Sequence, residues 1–276
     1  MVGRPKSVRP AAADASSAHL SGSVQALERG LNLLAIVADA DGLSLTNIAL
    51  RAGIAPSTAH RILHTLKVGG FVQYDEARGG YLIGVQAFRI GSAFLRNRKL
   101  VDVGRRTMRE LMEASDETVN MGIEIEGRVV FIAQIESHHA IRAFHRPGGG
   151  GPLHASSLGK AMLASLSDDE VAQRLHHAGL PRFTEKTLVD PDALLADLAA
   201  ARQRGWAIDD QEHAAGLRCV GAAIYNENGD VIGAISVSGP TVRLTDERLG
   251  ELGPMVKRAA AEITERIGGR INPARR

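Results

Sequence analysis

A chain of 276 residues is long enough for two domains, and its composition, 44% hydrophobic and 23% charged, is that of an ordinary globular protein. The single cysteine, Cys219, excludes an intramolecular disulfide, and without a ~20-residue apolar run or an apolar leader we expect neither a membrane span nor a signal peptide. Residues 1–100 carry 12 Lys and Arg against 6 Asp and Glu, whereas residues 101–276 carry 21 against 25. We therefore expect a cytoplasmic protein, without a membrane partner, of which only the front part meets phosphates.

Residues 1–22 consist mainly of Ala, Ser, Pro and basic residues without periodicity, which predicts a disordered arm. Within it, Gly3-Arg4-Pro5-Lys6 resembles the core of AT-hooks, in which an extended Arg enters the minor groove. A solvated tail with no contacts, or with transient phosphate contacts, is the favoured alternative because four residues are a short signal. After the arm, apolar residues at helical spacing predict an amphipathic helix capped by Ser23: Val24, Leu27, Leu31 and Leu34.

Two short helices separated by a tight turn are predicted between Ser44 and Leu66. Ser44 can cap the first helix, Gly53 can end it in a left-handed conformation, and Pro56 suits the first position of the second. The second helix has a core stripe at Ala59, Ile62, Leu63 and Leu66. Its opposite face carries hydrogen-bonding side chains and no acid: Ser57, Thr58, His60, Arg61, His64 and Thr65. A helix-turn-helix presents such a face to the DNA major groove, although any small helical hairpin gives the same spacing.

The sequence that follows favours DNA binding. FVQY and YLIG flank DEARGG, a pattern typical of a β-hairpin, so residues 23–84 are predicted to form a winged helix. Arg78, at the tip of this wing, is expected near phosphate or the minor groove.

Residues 85–117 are predicted to be helical with a break near Arg98. Both segments have apolar stripes, formed by Phe88, Phe94 and Leu95 in the first and by Val101, Val103, Met108, Leu111 and Met112 in the second.

From residue 118 the pattern changes to strands. VNMGIEIEG and RVVFIAQIES predict a hairpin that turns at Glu126-Gly127, and HAIRAFHRPGGGG predicts a strand leading into a flexible loop. Helices are predicted near residues 157–166, 168–177 and 191–205, followed by strands in GWAIDD, LRCVGAAIYN and DVIGAISVSG. A last helix, capped by Thr245 and kinked at Pro254, completes an α+β domain over residues 118–276.

Polar side chains recur in three segments of this second domain. Residues 155–160 open a helix after a glycine-rich loop, where unpaired N–H groups and the helix dipole suit an anion and Lys160 adds charge. Ser236 and Ser238 alternate along the last strand and so share one face of the sheet. Cys219 lies within a strand. The alternative interpretation is a small core cysteine with half-exposed strand serines.

The chain resembles the IclR-type bacterial transcriptional regulators from about Ser23 to Ile267, in blocks that keep their order and approximate spacing. These blocks are ALERGLNLLAIV, LTNIALRAGIAPSTAHRILHTLKVGGFVQYD, YLIG, HASSLGKAML and GWAIDDQEHAAGLRCVGAAIYNENGDVIGAISVSGP. The resemblance implies a GAF-like, mixed α/β effector-binding domain, and linker helices at 85–117 that contribute to dimerisation, unless they pack only within their own chain. It places the effector pocket at Ser156, Ser157, Leu158, Asp209, Cys219, Ser236, Val237 and Ser238.

Enzyme and metal chemistry have weaker support. Cys219 with His154 or His213 could form a thiol nucleophile and its base, and with Asp209 these residues could form a metal site. No CxxC or HxxxH spacing links them, and no P-loop or GxGxxG pattern is present. We expect no catalysis, no cofactor and no metal. A small-molecule-processing enzyme and a ligand-independent architectural protein remain the alternatives.

We expect a regulator that binds double-stranded operator DNA as a homodimer or a dimer of dimers, through Ser57, Thr58, His60, Arg61, His64 and Arg78. In its pocket, amides and hydroxyls would donate to a carboxylate, whereas Asp209 would repel one and accept from the ligand's other end. Few aromatic residues are present to stack on a ring, so a compact oxo- or hydroxy-acid fits best. Cys219, Ser236, Ser238 and HHAIRAF resemble the glyoxylate-responsive members, such as the allantoin-pathway repressors, which implies glyoxylate or a close relative.

Overall fold

The computed structural model describes residues 24–40, 42–96, 99–176 and 178–271, which fall into two units divided between Phe94 and Leu95. The N-terminal arm, its AT-hook-like run and Ser23 lie outside the described residues. No helix in these ranges is long and apolar enough to cross a membrane.

The first unit contains a winged helix-turn-helix, as predicted. Its elements are α1 (Gln25–Ala38), α2 (Leu45–Ala52), α3 (Pro56–Val68), β1 (Val72–Asp75) and β2 (Gly80–Ile83), and α4 (Val85–Arg96) follows them and extends past the division at Phe94. The Ser44 hydroxyl caps α2 by accepting from the Asn47 N–H at 3.3 Å, and Gly53 ends α2 in the left-handed region with φ of 65°. Pro56 begins α3. These local signals confirm the predicted turn.

The core of the first unit is aliphatic, and α1 buries a different face from the predicted one. Leu33 and Val37 of α1 are buried with residues of α2 and α3, whereas Val24, Leu27 and Leu31 are 58–64% exposed. The helix is confirmed, but its predicted buried stripe is wrong at these three positions. The reason is that the apolar face of α1 is wider than the contact that α2 and α3 offer.

The wing is a two-stranded antiparallel hairpin in which Val72 pairs with Ile83 and Asp75 with Gly80. The Asp75 carboxylate accepts from the backbone N–H groups of Ala77 (2.9 Å) and Arg78 (3.2 Å), which holds the turn together. The hairpin predicted around DEARGG is therefore confirmed.

The second unit is an α+β fold around one six-stranded antiparallel sheet of order β5-β4-β3-β8-β7-β6. Its helices are α5 (Lys99–Ser115), α6 (Ser157–Leu163), α7 (Asp168–Leu175), α8 (Pro191–Arg204) and α9 (Asp246–Arg266). Its strands are β3 (Thr118–Ile125), β4 (Arg128–Ile135), β5 (Gly150–Pro152), β6 (Ala207–Asp210), β7 (Leu217–Tyr225) and β8 (Val231–Pro240).

Each face of the sheet has its own core. On one face, α5 and α9 contribute Met108 and Val256 to a cluster with Val220 and Val237 of the sheet. On the other face, α6 and α8 pack over the sheet through residues such as Leu158, Leu194 and Leu198. Val101, Met108, Leu111 and Met112 of α5 are buried, as the predicted stripe requires, whereas Phe88 of α4 is exposed. The break near Arg98 falls on residues outside the described ranges.

One predicted strand is wrong. HAIRAF has no strand, and the edge strand β5 is formed instead by the last glycines of the run and Pro152. Ile141 and Phe144 are exposed, and since they are three residues apart a strand would have placed them on opposite faces. The backbone of Gly148 and Gly149 bonds instead to Phe131 of β4.

Candidate DNA-binding surface and effector cavity

The outer face of α3 is polar, exposed and free of acidic residues. Ser57, His60, Arg61 and His64 are exposed and Thr58 is half-buried, while Ala59 and Leu63 anchor the helix in the core. Arg78 is exposed at the wing tip, where its guanidinium lies 3.5 Å from the Asp75 carboxylate. This arrangement leaves donors free to meet phosphates and base edges.

The register of the sheet explains why residues distant in sequence meet in the second unit. Asp209 of β6 is paired with Cys219 of β7, which is paired in turn with Ser238 of β8. The three side chains therefore form a row across the sheet. Gly221 and Ser236 pair in the adjacent row on the same face.

Helix α6 begins directly above these rows. Its cap, Ser156, accepts from the Gly159 N–H at 3.1 Å and donates to the Pro152 carbonyl at 2.6 Å. Gly221 permits this close approach, since a Cβ there would lie 2.6 Å from the Ser157 carbonyl oxygen. The helix has only seven residues and Ser156 already occupies one first-turn amide, so side-chain hydroxyls provide most of the donors.

A small cavity lies between the start of α6 and the sheet. The centre of a water-sized sphere can occupy about 20 Å³ of it. The cavity brings together every predicted effector residue except Val237, whose side chain is buried in the core on the opposite face of the sheet. That expectation is not met because neighbouring strand residues point to opposite faces. The lining residues are Phe131, His145, Gly151, Ser156, Ser157, Leu158, Asp209, His213, Leu217, Cys219, Ser236 and Ser238.

A hydrogen-bond relay orients Ser238. Gln134 Nε2 donates to Asn120 Oδ1 at 2.8 Å, and Asn120 Nδ2 donates to Ser238 Oγ at 3.2 Å. Because Ser238 accepts from Asn120, its own proton is directed to other partners, including the Cys219 sulfur.

Cys219 is buried and acts as a thiol. Burial, and then the Asp209 carboxyl, raise its pKa, while hydrogen bonds from Ser238 and Ser157 oppose that rise. A thiol that stays protonated at neutral pH is a poor nucleophile. His154, a candidate base, has its ring nitrogen 3.0 Å from the Pro181 carbonyl instead. In the described ranges, no group of three or more His, Cys, Asp or Glu is placed to hold a metal ion.

Asp209 is the acidic group of the cavity and is 2% exposed. Its Oδ1 accepts from the Glu212 N–H at 2.8 Å, and the His213 N–H also bonds to it. Burial outweighs these bonds and raises the pKa of Asp209 to about 7. The loop after β6 that supplies both amides begins at Gln211, which has φ of 63°.

Two histidines line the cavity beyond the predicted effector set. The His145 ring stacks on Phe131 with centroids 4.3 Å apart, and burial together with His213 lowers its pKa to about 4. The His213 ring lies edge-on to Phe183, and burial lowers its pKa as well. His145 follows a segment without regular secondary structure, so no periodicity in the sequence indicated it.

Lys160 does not face the cavity. It is 1% exposed, and its ammonium lies 2.8 Å from the Asp197 carboxylate and 2.5 Å from that of Glu212. Lys160 therefore adds charge near the start of α6, as expected, but its ammonium is bound by two buried or half-buried acids behind the loop and does not line the cavity.

A winged helix-turn-helix followed by an α+β unit with a small polar cavity is the architecture of a DNA-binding transcriptional regulator with a sensor-type domain. The IclR helix-turn-helix domain matches residues 26–76, and the bacterial transcriptional regulator IclR C-terminal domain matches residues 92–265. The chain belongs to the IclR family of transcriptional regulators.

Relatives support this assignment over almost the whole chain. The transcriptional repressor IclR of Escherichia coli K12 is 44% identical over 264 residues, 95% of each chain. The transcriptional repressor AllR of the same strain is 38% identical over 272 residues, 98% of this chain and 97% of AllR. The crystal structure of an IclR homologue from Microbacterium hydrocarbonoxydans, complexed with 4-hydroxybenzoate, has a TM-score of 0.75 at 26% identity, covering 88% of this chain and 98% of that one.

Proposed function

We propose that this regulator binds operator DNA through α3 and the wing, and that a small carboxylate in the second unit changes its operator affinity. The observation that carries the proposal is the convergence of the start of α6 with Asp209, Cys219 and Ser238 on one cavity. The DNA-contacting residues would be Ser57, Thr58, His60, Arg61, His64 and Arg78.

The size and polarity of the cavity favour a compact oxo- or hydroxy-acid, with glyoxylate as our candidate. Hydroxyls of Ser157, Ser236 and Ser238 can donate to carboxylate oxygens, and the cavity is small. The family likeness to a homologue complexed with 4-hydroxybenzoate supports a carboxylate effector. An aromatic ring would require the cavity walls of this chain to move apart.

Two features of the wider function follow the relatives. IclR and AllR are named as repressors, so we propose that this chain represses and that the effector changes its occupancy of the operator. We also propose that the protein is cytoplasmic and forms a homodimer or a dimer of dimers. We propose further that it is not an enzyme, because a protonated buried thiol and neutral histidines offer no activated nucleophile.

Calorimetry of the full-length protein with glyoxylate, pyruvate and 4-hydroxybenzoate tests the ligand class. We expect glyoxylate to bind more tightly than 4-hydroxybenzoate, and we expect Cys219→Ala and Ser236→Ala each to weaken glyoxylate binding at least several-fold. Ser137→Ala is a matched control, since it removes a buried hydroxyl outside the cavity. Glyoxylate binding that survives both cavity substitutions would exclude this site, and failure of every two- to four-carbon oxoacid to bind would exclude the ligand class.

A further inference from the structure

The effector cavity has no fixed positive charge to neutralise a bound carboxylate. Among the described residues that line it, none is Lys or Arg, and the groups that titrate are Asp209, His145, His213 and Cys219. Burial lowers the pKa of both histidines, so the rings are neutral at neutral pH. An anion that enters the cavity therefore meets an acid and no cation.

Two cations near the cavity are already bound to carboxylates. Lys160, behind the loop after β6, contacts both Asp197 and Glu212. Arg218, beside Cys219 on β7, lies 2.5 Å from Asp210 and 2.8 Å from Asp246. Their charges are offset locally, and neither side chain lines the cavity.

Groups of the loop after β6 and of α6 act on the protonation of Asp209. The loop after β6 supplies Glu212, whose charge raises the pKa of Asp209, and the N–H groups of Glu212 and His213, which lower it. Lys160 of α6 lowers it as well, and Cys219 of β7 faces Asp209 as a neutral thiol. Burial is the largest effect, and it leaves the pKa of Asp209 at about 7.

We propose that the carboxylate effector is taken up together with one proton, which Asp209 holds and donates to the effector as a hydrogen bond. The proton comes from solvent, no covalent bond other than O–H forms, and it resides on Oδ2 because Oδ1 accepts the Glu212 N–H. A second carboxylate placed beside the buried Asp209 carboxyl disfavours ionisation of both groups, so the bound anion promotes the protonation of Asp209. This inference rests on the proposed function and gives Asp209 a donor role in place of the acceptor role expected from the sequence.

The proton gives the site a defined pH dependence. When the pKa of a group rises on ligand binding, the affinity is highest below the pKa of the free protein and falls as the pH rises from that pKa to the higher pKa of the complex. Glyoxylate affinity is therefore constant below about pH 7 and falls about tenfold per pH unit above it. The carboxyl group of the ligand itself does not add to this fall, since an α-carboxyl group has a pKa of about 3.5 and stays ionised at neutral and higher pH. A ligand without a carboxylate shows no such fall.

Calorimetry of the full-length protein with sodium glyoxylate, at about pH 8 in phosphate and in HEPES, measures the proton directly, since the two buffers differ in ionisation enthalpy and neither carries a primary amine that would react with the aldehyde. We expect uptake of about one proton by the wild type. Asp209→Asn, which keeps a neutral donor of the same shape, should bind glyoxylate without proton uptake and with a flat pH profile. Ser236→Ala is the control: it should weaken binding while the proton is still taken up.

Equal apparent enthalpies in the two buffers, with glyoxylate bound, would overturn the inference while leaving the proposed effector site intact. Proton uptake that persists in Asp209→Asn would place the proton on a histidine and overturn the role of Asp209. If Asp209→Asn does not fold, neutral glycolaldehyde provides the second test. Binding of glycolaldehyde to the wild type should neither release nor take up a proton. If no oxoacid binds at any pH, the proposed function falls, and this inference with it.

Discussion

Arg61 lies on the exposed side of α3, one turn from the N-terminal end that a helix-turn-helix directs into the major groove. A guanidinium can bind guanine O6 and N7 together, and such a contact contributes roughly 1–3 kcal/mol of discrimination. We therefore expect Arg61→Ala to weaken operator binding about tenfold or more without changing thermal stability. A mobility-shift titration on the promoter region measures this.

Arg106→Ala is the matched control, since it removes another exposed Arg, from α5 of the other unit. Its effect should be small and equal on operator and random DNA. Unchanged operator affinity in Arg61→Ala would remove Arg61 from the DNA-contacting set.

At the scale of elements, the loop after β6 is fixed from behind by Lys160. The Lys160–Glu212 contact joins α6 to this loop, and the Glu212 backbone in turn donates to Asp209, so one buried cation connects two walls of the cavity. Thr187 adds a second anchor by donating to the Glu212 carbonyl at 2.7 Å. These contacts hold the loop in place as one wall of the cavity.

Removal of Lys160 should therefore cost more than the loss of an ordinary surface ion pair. Lys160→Met leaves Glu212 and Asp197 without their cation, and breaking such a buried pair typically costs about 3–5 kcal/mol of unfolding free energy. Lys186→Met, which breaks the half-exposed Lys186–Asp210 pair, should cost about 0–1 kcal/mol. Urea denaturation followed by circular dichroism compares the two, and equal losses would contradict a structural role for Lys160.

Much of the fold was predictable because it depends on local signals. The Ser44 cap, left-handed Gly53 and helix-starting Pro56 act within a few residues, and each formed as expected. The alternation of Ser236 and Ser238 likewise settled which face they share. The same alternation places the side chain of Val237 in the core on the opposite face. The resemblance identified the whole segment as part of the pocket, but only every second side chain of a strand can line it.

The features that could not be predicted from the sequence depend on contacts between elements that are distant in the chain. HAIRAF is predicted to be a strand, yet the glycines further on occupy the edge of the sheet, because a backbone without side chains can approach β4 closely. His145 enters the cavity only through this irregular segment. Lys160 has the helical position of a cavity cation, and only the packing of α8 and the loop shows that its partners lie elsewhere.

At the scale of the whole molecule, α1 exposes an apolar face that its own unit does not cover. Val24, Leu27 and Leu31 are spaced three and four residues apart, so they form one apolar face. Monomeric proteins seldom expose such a contiguous face, and helix-turn-helix proteins bind paired half-sites about one helical turn apart. We propose that a second copy of this chain covers α1.

A charge on this face should separate the copies. Leu31→Glu places a carboxylate in the apolar contact and should shift the protein towards a monomer in sedimentation velocity, with thermal stability of the diluted protein unchanged because Leu31 lies outside the core. Leu50→Glu is the matched control: it changes an 80% exposed leucine of α2 in the same unit and should leave association unaltered. The same loss should weaken binding to a two-half-site operator far more than to a single half-site, since a monomer engages each half-site independently. A Leu31→Glu protein that sediments like the wild type would show that α1 is not the interface.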